Sequence, residues 1–118
     1  MWRPPPAHLS PPPRRHAPRP TLLGSAPPPG GFRRVAGPTR RLVGLWVRRF
    51  GVVEVRLWFF EVWNEPNLKS FWTGSQADYF ELYRHTVVAI KAIDGGLKVG
   101  GPTSSDNAWI PAFVDFCR

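Results

Sequence analysis

Val55-Arg56-Leu57-Trp58-Phe59-Phe60-Glu61-Val62-Trp63 runs directly into Asn64-Glu65-Pro66-Asn67. Its nine opening residues are dense in β-branched and aromatic side chains, which suit a pleated, packed surface. So few polar positions predict a strand covered on both faces, as in a parallel sheet, with Trp58, Phe59 and Phe60 in the core. The Asn and Pro that follow predict a loop, extending to Gly74.

Working outward, Thr39–Phe50 places Leu42, Leu45, Trp46 and Phe50 at helical spacing, and Gly51 stands where a C-terminal cap is expected. On the other side, Ser75-Gln76-Ala77-Asp78 has the pattern of a capping box, with Asp in place of the usual Glu. It opens a helix whose apolar face is Tyr79, Leu82, Tyr83, Val87, Ile90 and Ile93, ended by Gly95-Gly96. Leu97–Val99 reads as a short strand, and Gly100-Gly101-Pro102 leads off it. Asp106 or Asn107 is then expected to cap a last helix with Pro111 in its first turn.

The order helix, strand, helix, strand, helix implies an α/β fold with parallel strands joined by right-handed crossovers. Two strands do not make a self-sufficient sheet. Residues 39–118 therefore read as roughly a quarter of a (β/α)8 TIM barrel, which normally needs about 250 residues.

Residues 1–38 have a different texture. They hold twelve of the fifteen prolines, mostly in the runs Pro4–Pro6, Pro11–Pro13 and Pro27–Pro29. Proline removes a backbone donor and stops helices, so this segment is expected to be extended or disordered. Charge follows the same divide. Residues 1–53 carry ten Arg, no Lys and no acid, whereas residues 54–118 carry six basic and eight acidic residues. The net +8 thus belongs to the N-terminal half. Residues 1–56 also lack Lys, Asn, Ile, Tyr, Asp and Gln, and two origins fit that bias: an authentic Pro/Arg-rich linker, or an out-of-frame reading of GC-rich DNA joined to a true coding sequence.

A solvated tail explains the basic block better than a nucleic-acid arm, because no nucleic-acid-binding motif accompanies it. No apolar run of 18 residues exists to cross a membrane, and the N-terminus lacks the apolar core of a secretory signal. Neither nucleic acid nor membrane is expected as a partner, and a cytoplasmic location is the default. Cys117 is alone, which excludes an internal disulfide, and it is read as an inert or buried thiol. His8, His16 and His85 are scattered, so no metal is expected. Gly100-Gly101-Pro102 lacks the spacing of a phosphate-binding loop, and no cofactor is expected.

The chemistry concentrates after the long strand. In parallel barrels the C-terminal strand ends carry the active site. A carboxylate there, beside an amide and among aromatic rings, suits general acid catalysis, because desolvation keeps a carboxyl protonated nearer neutral pH. Glu65 is the candidate, with Pro66 expected to hold it in extended geometry. Asn64 offers a donor and an acceptor for a sugar hydroxyl. Trp63, Phe71 and Trp72 divide between core and sugar platform.

These motifs together resemble β-xylosidases of glycoside hydrolase family 39. The resemblance runs from Trp58 through Trp63-Asn64-Glu65-Pro66-Asn67-Leu68, Phe71-Trp72-Thr73-Gly74, Gln76, Tyr79-Phe80, Leu82-Tyr83 and Leu97–Pro102, then through Trp109-Ile110-Pro111 and Phe113 to Cys117. It covers about two-thirds of the chain and none of residues 1–38. It implies a (β/α)8 barrel, a retaining mechanism with two glutamates, and β-xylosides or xylo-oligosaccharides as substrates. By that match Glu65 is the general acid/base, Asn64 bonds the sugar 2-hydroxyl, and Phe71 packs on the glycone.

Retaining hydrolysis needs two carboxyl groups about 5–5.5 Å apart. The resemblance puts the nucleophile on a Glu near the end of the seventh strand, which is not among these residues. Glu61 shares a face with Glu65 only if the turn stays extended, and about 13 Å would then separate them. The chain alone is accordingly expected to be inactive. The alternatives are an α-L-iduronidase-like member of the same family, another barrel glycosidase with Asn-Glu-Pro such as an endoglucanase, and a non-enzymatic reading as an inert truncated product or basic Pro-rich interaction module.

Overall fold

The computed structural model describes residues 31–118, so the expectation for residues 1–30 lies outside the described residues. The part of the Pro/Arg-rich segment that is described is not extended. Phe32–Val35 forms a 3-10 turn, and helix α1 (Ala36–Phe50) starts before position 39. Pro38 is tolerated because it sits in the first helical turn, where main-chain N–H groups have no intrahelical partner. Phe32 is buried and stacks on Trp72 at 6.4 Å, giving the turn a hydrophobic anchor.

The buried residues of α1 are Thr39 and Val43, whereas Leu45 and Phe50 lie about half exposed. Helical spacing is thus correct, but the face turned inward is rotated from the one Leu45 and Phe50 mark. Gly51 caps the helix with φ 83, a left-handed value glycine adopts without Cβ strain, and its N–H donates to Val47 O at 2.9 Å.

The predicted nine-residue strand is a correction. Its N-terminal end joins a short helix α2 (Val52–Val55), since Val55 N–H donates to Gly51 O at 3.1 Å and Arg56 N–H to Val52 O at 2.9 Å. Val55 is fully buried against Val43, Phe60, Ile90 and Leu97, and this packing outweighs its β-propensity. Strand β1 is only Phe59–Glu61. One face is covered, because Phe60 is buried while Phe59 is 70 % exposed.

Helix α3 (Gln76–Lys91) opens with the capping box read from the sequence. Ser75 Oγ accepts from Asp78 N–H at 3.1 Å, and Asp78 Oδ2 accepts from Ser75 N–H at 2.8 Å. Tyr79, Leu82 and Ile90 are buried as expected, and Thr86 and Ala89 join them. Thr86 is accommodated because its hydroxyl donates to Leu82 O at 2.8 Å. Strand β2 (Lys98–Gly100) lies one residue later than read, and it pairs with β1 in parallel: Phe59 with Lys98, Phe60 with Val99, Glu61 with Gly100.

Neither Asp106 nor Asn107 caps the last helix. Both belong to a 3-10 turn (Ser105–Asn107) with positive φ, 55 and 56. Helix α4 (Ile110–Phe116) starts from Trp109 without a side-chain cap, with Pro111 in its first turn as read. Cys117 is an exposed thiol rather than a buried one.

Two hydrophobic clusters result. One joins α1, α2, β1 and α3 through Val43, Val55, Phe60, Ile90 and Leu97. The other, Phe32, Val62, Trp72, Tyr79, Leu82 and Phe113, lies where the chain leaves β1 and supports the loop there.

Candidate active site

Beyond Glu61 the parallel pairing continues by single bonds. Val62 N–H donates to Gly100 O at 3.1 Å, Asn64 bridges Thr103, and Glu65 N–H donates to Thr103 O at 3.1 Å. Val62 O turns away from the sheet to accept from the phenol of Tyr79 at 2.8 Å. Tyr79 is fully buried, and burial pushes its phenol up, so it acts only as a neutral donor.

Between these anchors the chain leaves extended geometry. Trp63 has φ 66 and Glu65 φ 46, both in the left-handed region. Each such residue costs of order 1–3 kcal/mol and is kept only where its surroundings over-determine it. This overturns the expectation that Pro66 holds Glu65 extended. Main-chain bonds on both sides of Glu65, N–H to Thr103 O and O from Leu68 N–H at 3.0 Å, outweigh the bias of the following proline. The turn is therefore not a continuation of the strand, and the spacing of about 13 Å reckoned from strand rise does not apply to Glu61 and Glu65.

Asn64 is exposed and Glu65 partly buried, side by side at the exit of β1. The carboxylates elsewhere are mostly engaged. Glu54 accepts from Trp58, Glu61 from the Thr103 hydroxyl, Asp78 from Ser75, Glu81 from Arg84, Asp94 from Arg56 and Asp115 from Arg118. Among the described residues only Glu65 and Asp106 have a carboxylate with no hydrogen-bond partner. Glu65 alone of these two stands at a strand exit beside an amide.

The three aromatic candidates separate. Trp72 is core, 1 % exposed, with its indole N–H donating to Ser75 O at 2.9 Å. Trp63 is partly buried and meets Trp72 edge-on at 5.2 Å. Phe71 is about half exposed, and its main chain is tied to the turn because Trp63 Nε1–H donates to Phe71 O at 2.8 Å. The structure thus gathers Asn64 and Glu65 on one turn and links Phe71 to the residue before them.

Two residues escaped the sequence reading. Thr103 accepts from Glu65 N–H and donates its hydroxyl to Glu61. Asn67 makes two bonds to Ser105: Nδ2 donates to Ser105 O at 3.1 Å, and Oδ1 accepts from Ser105 N–H at 2.8 Å. An Asn after Pro in a turn is a local signal, but nothing in the spacing shows that it reaches a loop 38 residues away. Among the described residues, no group of three His, Cys, Asp or Glu is placed to hold a metal ion.

The sequence model of the family described as "Glycosyl hydrolases family 39" matches residues 37–118. The chain is 46 % identical over 95 residues to a β-xylosidase of Caldicellulosiruptor saccharolyticus, covering 80 % of this chain and 20 % of that protein. Among solved structures, a monomeric β-xylosidase from Caulobacter crescentus CB15 is 48 % identical with a TM-score of 0.72, over 79 % of this chain and 18 % of its own. A bacterial orthologue of human α-L-iduronidase is 28 % identical with a TM-score of 0.60, over 70 % and 14 %. The chain spans about a fifth of the length of the curated relatives it matches.

Proposed function

The chain belongs to family 39 of the glycosyl hydrolases, and on that premise we propose that it is part of a retaining β-xylosidase in which Glu65 is the general acid/base. The observation that carries this reading is that Glu65, a partly buried residue, has no carboxylate hydrogen-bond partner among the described residues and is held at a strand exit beside Asn64 by the bond from Glu65 N–H to Thr103 O. A carboxyl uncommitted to any described residue is available to an incoming substrate.

In this reading β1 and β2 are two strands of a (β/α)8 barrel, and the exposed face bearing Phe59 is turned to the rest of that barrel. Glu65 gives its proton to the glycosidic oxygen as the C–O bond to the leaving group breaks, while a second glutamate attacks the anomeric carbon. Glu65, now a carboxylate, then takes a proton from the water that hydrolyses the glycosyl-enzyme. Asn64 hydrogen-bonds the sugar 2-hydroxyl, and Phe71 packs on the glycone. The nucleophile is a Glu at the seventh strand of the complete enzyme, so the 118 residues by themselves turn over no substrate. The higher identity to the xylosidase than to the iduronidase orthologue favours xylosides.

Replacing Glu65 by Ala in a complete enzyme carrying this segment tests the reading. The rate should fall by about 10²–10⁴-fold, most for xylosides with poor leaving groups, which need protonation most. An equal loss across leaving groups removes the acid role.

A further inference from the structure

Glu65 occupies strained backbone, and something distant has to hold it there. The turn that carries it is joined to the loop after β2 at two points: the Asn64–Thr103 bridge, which is made by the bond from Glu65 N–H to Thr103 O, and the pair of hydrogen bonds between the Asn67 side chain and the Ser105 main chain. The first is a main-chain contact that any sequence makes in this geometry. The second depends on one side chain.

We propose that Asn67 is a positioning residue for Glu65, clamping residues 64–68 to residues 103–105; this rests on the reading of Glu65 as acid/base. The primary amide suits the task because it offers a donor and an acceptor side by side, matching the N–H and C=O of a single residue. Both bonds are partly buried, so water competes poorly for them. On one side of the clamp, Leu68 N–H donates to Glu65 O at 3.0 Å. On the other, Thr103 lies two residues before Ser105. Fixing Asn67 to Ser105 therefore sets the distance across which Glu65 N–H reaches Thr103 O. Alanine in place of Asn67 removes both bonds. Aspartate keeps the acceptor for Ser105 N–H and loses the donor.

The first test is amide hydrogen exchange on the full 118-residue chain, with Ala89 and Ile90 of α3 as internal reference. In Asn67→Ala, the amides of Ser105 and Glu65 should both exchange about tenfold faster or more, with the α3 amides unchanged. In Asn67→Asp, Ser105 should stay partly protected. Faster exchange at Ser105 alone overturns the proposal, as do free-peptide rates at both sites in the unaltered chain.

The second test is kinetic, in a complete enzyme carrying the segment. Asn67→Ala should reduce kcat/KM about tenfold or more on an alkyl β-xyloside and less than about threefold on a dinitrophenyl β-xyloside, with Asn67→Asp between it and the parent. A purely structural role would lower both substrates alike and overturns the inference. If Glu65→Ala itself lacks leaving-group dependence, the acid/base reading fails and this one falls with it. If Glu65→Ala shows that dependence and Asn67→Ala does not, only the clamp is lost.

Discussion

The indole N–H of Trp63 donates to the carbonyl of Phe71 at 2.8 Å, so the residue that leads into Asn64 and Glu65 also holds the main chain of the exposed aromatic. Trp63 is itself braced by the buried Trp72. A path of contacts thus runs from the core to the candidate sugar-facing ring.

Phe71→Ala should leave stability within about 1 kcal/mol, because the residue is already about half exposed. In a complete enzyme it should raise KM for an aryl β-xyloside about tenfold and change kcat less than about threefold. Denaturant unfolding and steady-state kinetics check both halves. An unchanged KM would remove Phe71 from the substrate surface.

Trp72→Ala should do the reverse and cost about 3–5 kcal/mol, since a nearly inaccessible indole leaves a cavity among Phe32, Trp63 and Tyr79. Urea unfolding reads it directly, and a loss no larger than that of Phe71→Ala would contradict the division between core and surface.

Tyr79→Phe tests the support beneath the turn. It keeps the ring and deletes the hydroxyl, leaving Val62 O buried without its partner, at a cost of about 1–3 kcal/mol. Thermal unfolding of the variant beside Tyr79→Leu separates the bond from the ring; equal stability of Tyr79→Phe and the parent would show that Val62 O finds another donor.

Acid should weaken the chain through two carboxylates. The Ser75 main-chain and side-chain bonds hold the Asp78 carboxyl below its ordinary value, and the Arg56 side chain followed by the Gly96 main chain does the same for Asp94. A depressed folded value gives stability that is present above the unfolded value of about 3.9 and lost as pH falls through the folded one. Asp78→Asn and Asp94→Asn should each flatten the acid limb of a plot of stability against pH. Both carboxylates remain partly open to solvent, which keeps the effects small. An acid limb unchanged in both variants would contradict the assignment.

Local order was legible wherever a short-range rule governs it. The capping box at Ser75–Asp78, the glycine cap at Gly51, Pro111 in a first turn and the parallel pairing of two strands all follow from contacts a few residues apart or from element order. The length of the first strand was not legible, because Val55 satisfies β-propensity and burial equally well and the hydrogen bonds to Gly51 and Val52 favour a helical turn. Nor was the face of α1. Leu45 and Phe50 are apolar yet exposed, while Thr39 is buried.

By itself, the sequence determined the family, the element order and the pair Asn64-Glu65 as the place to look, since these depend on residue identity along a continuous stretch. Tertiary structure decided how Glu65 is presented. Its positive φ is held by the local bond from Leu68 N–H together with the bond to Thr103, and that second bond, like the grip of Asn67 on Ser105, comes from a loop 38 residues away. No local propensity encodes that contact, because it forms only once the crossover helix α3 has brought β2 alongside β1.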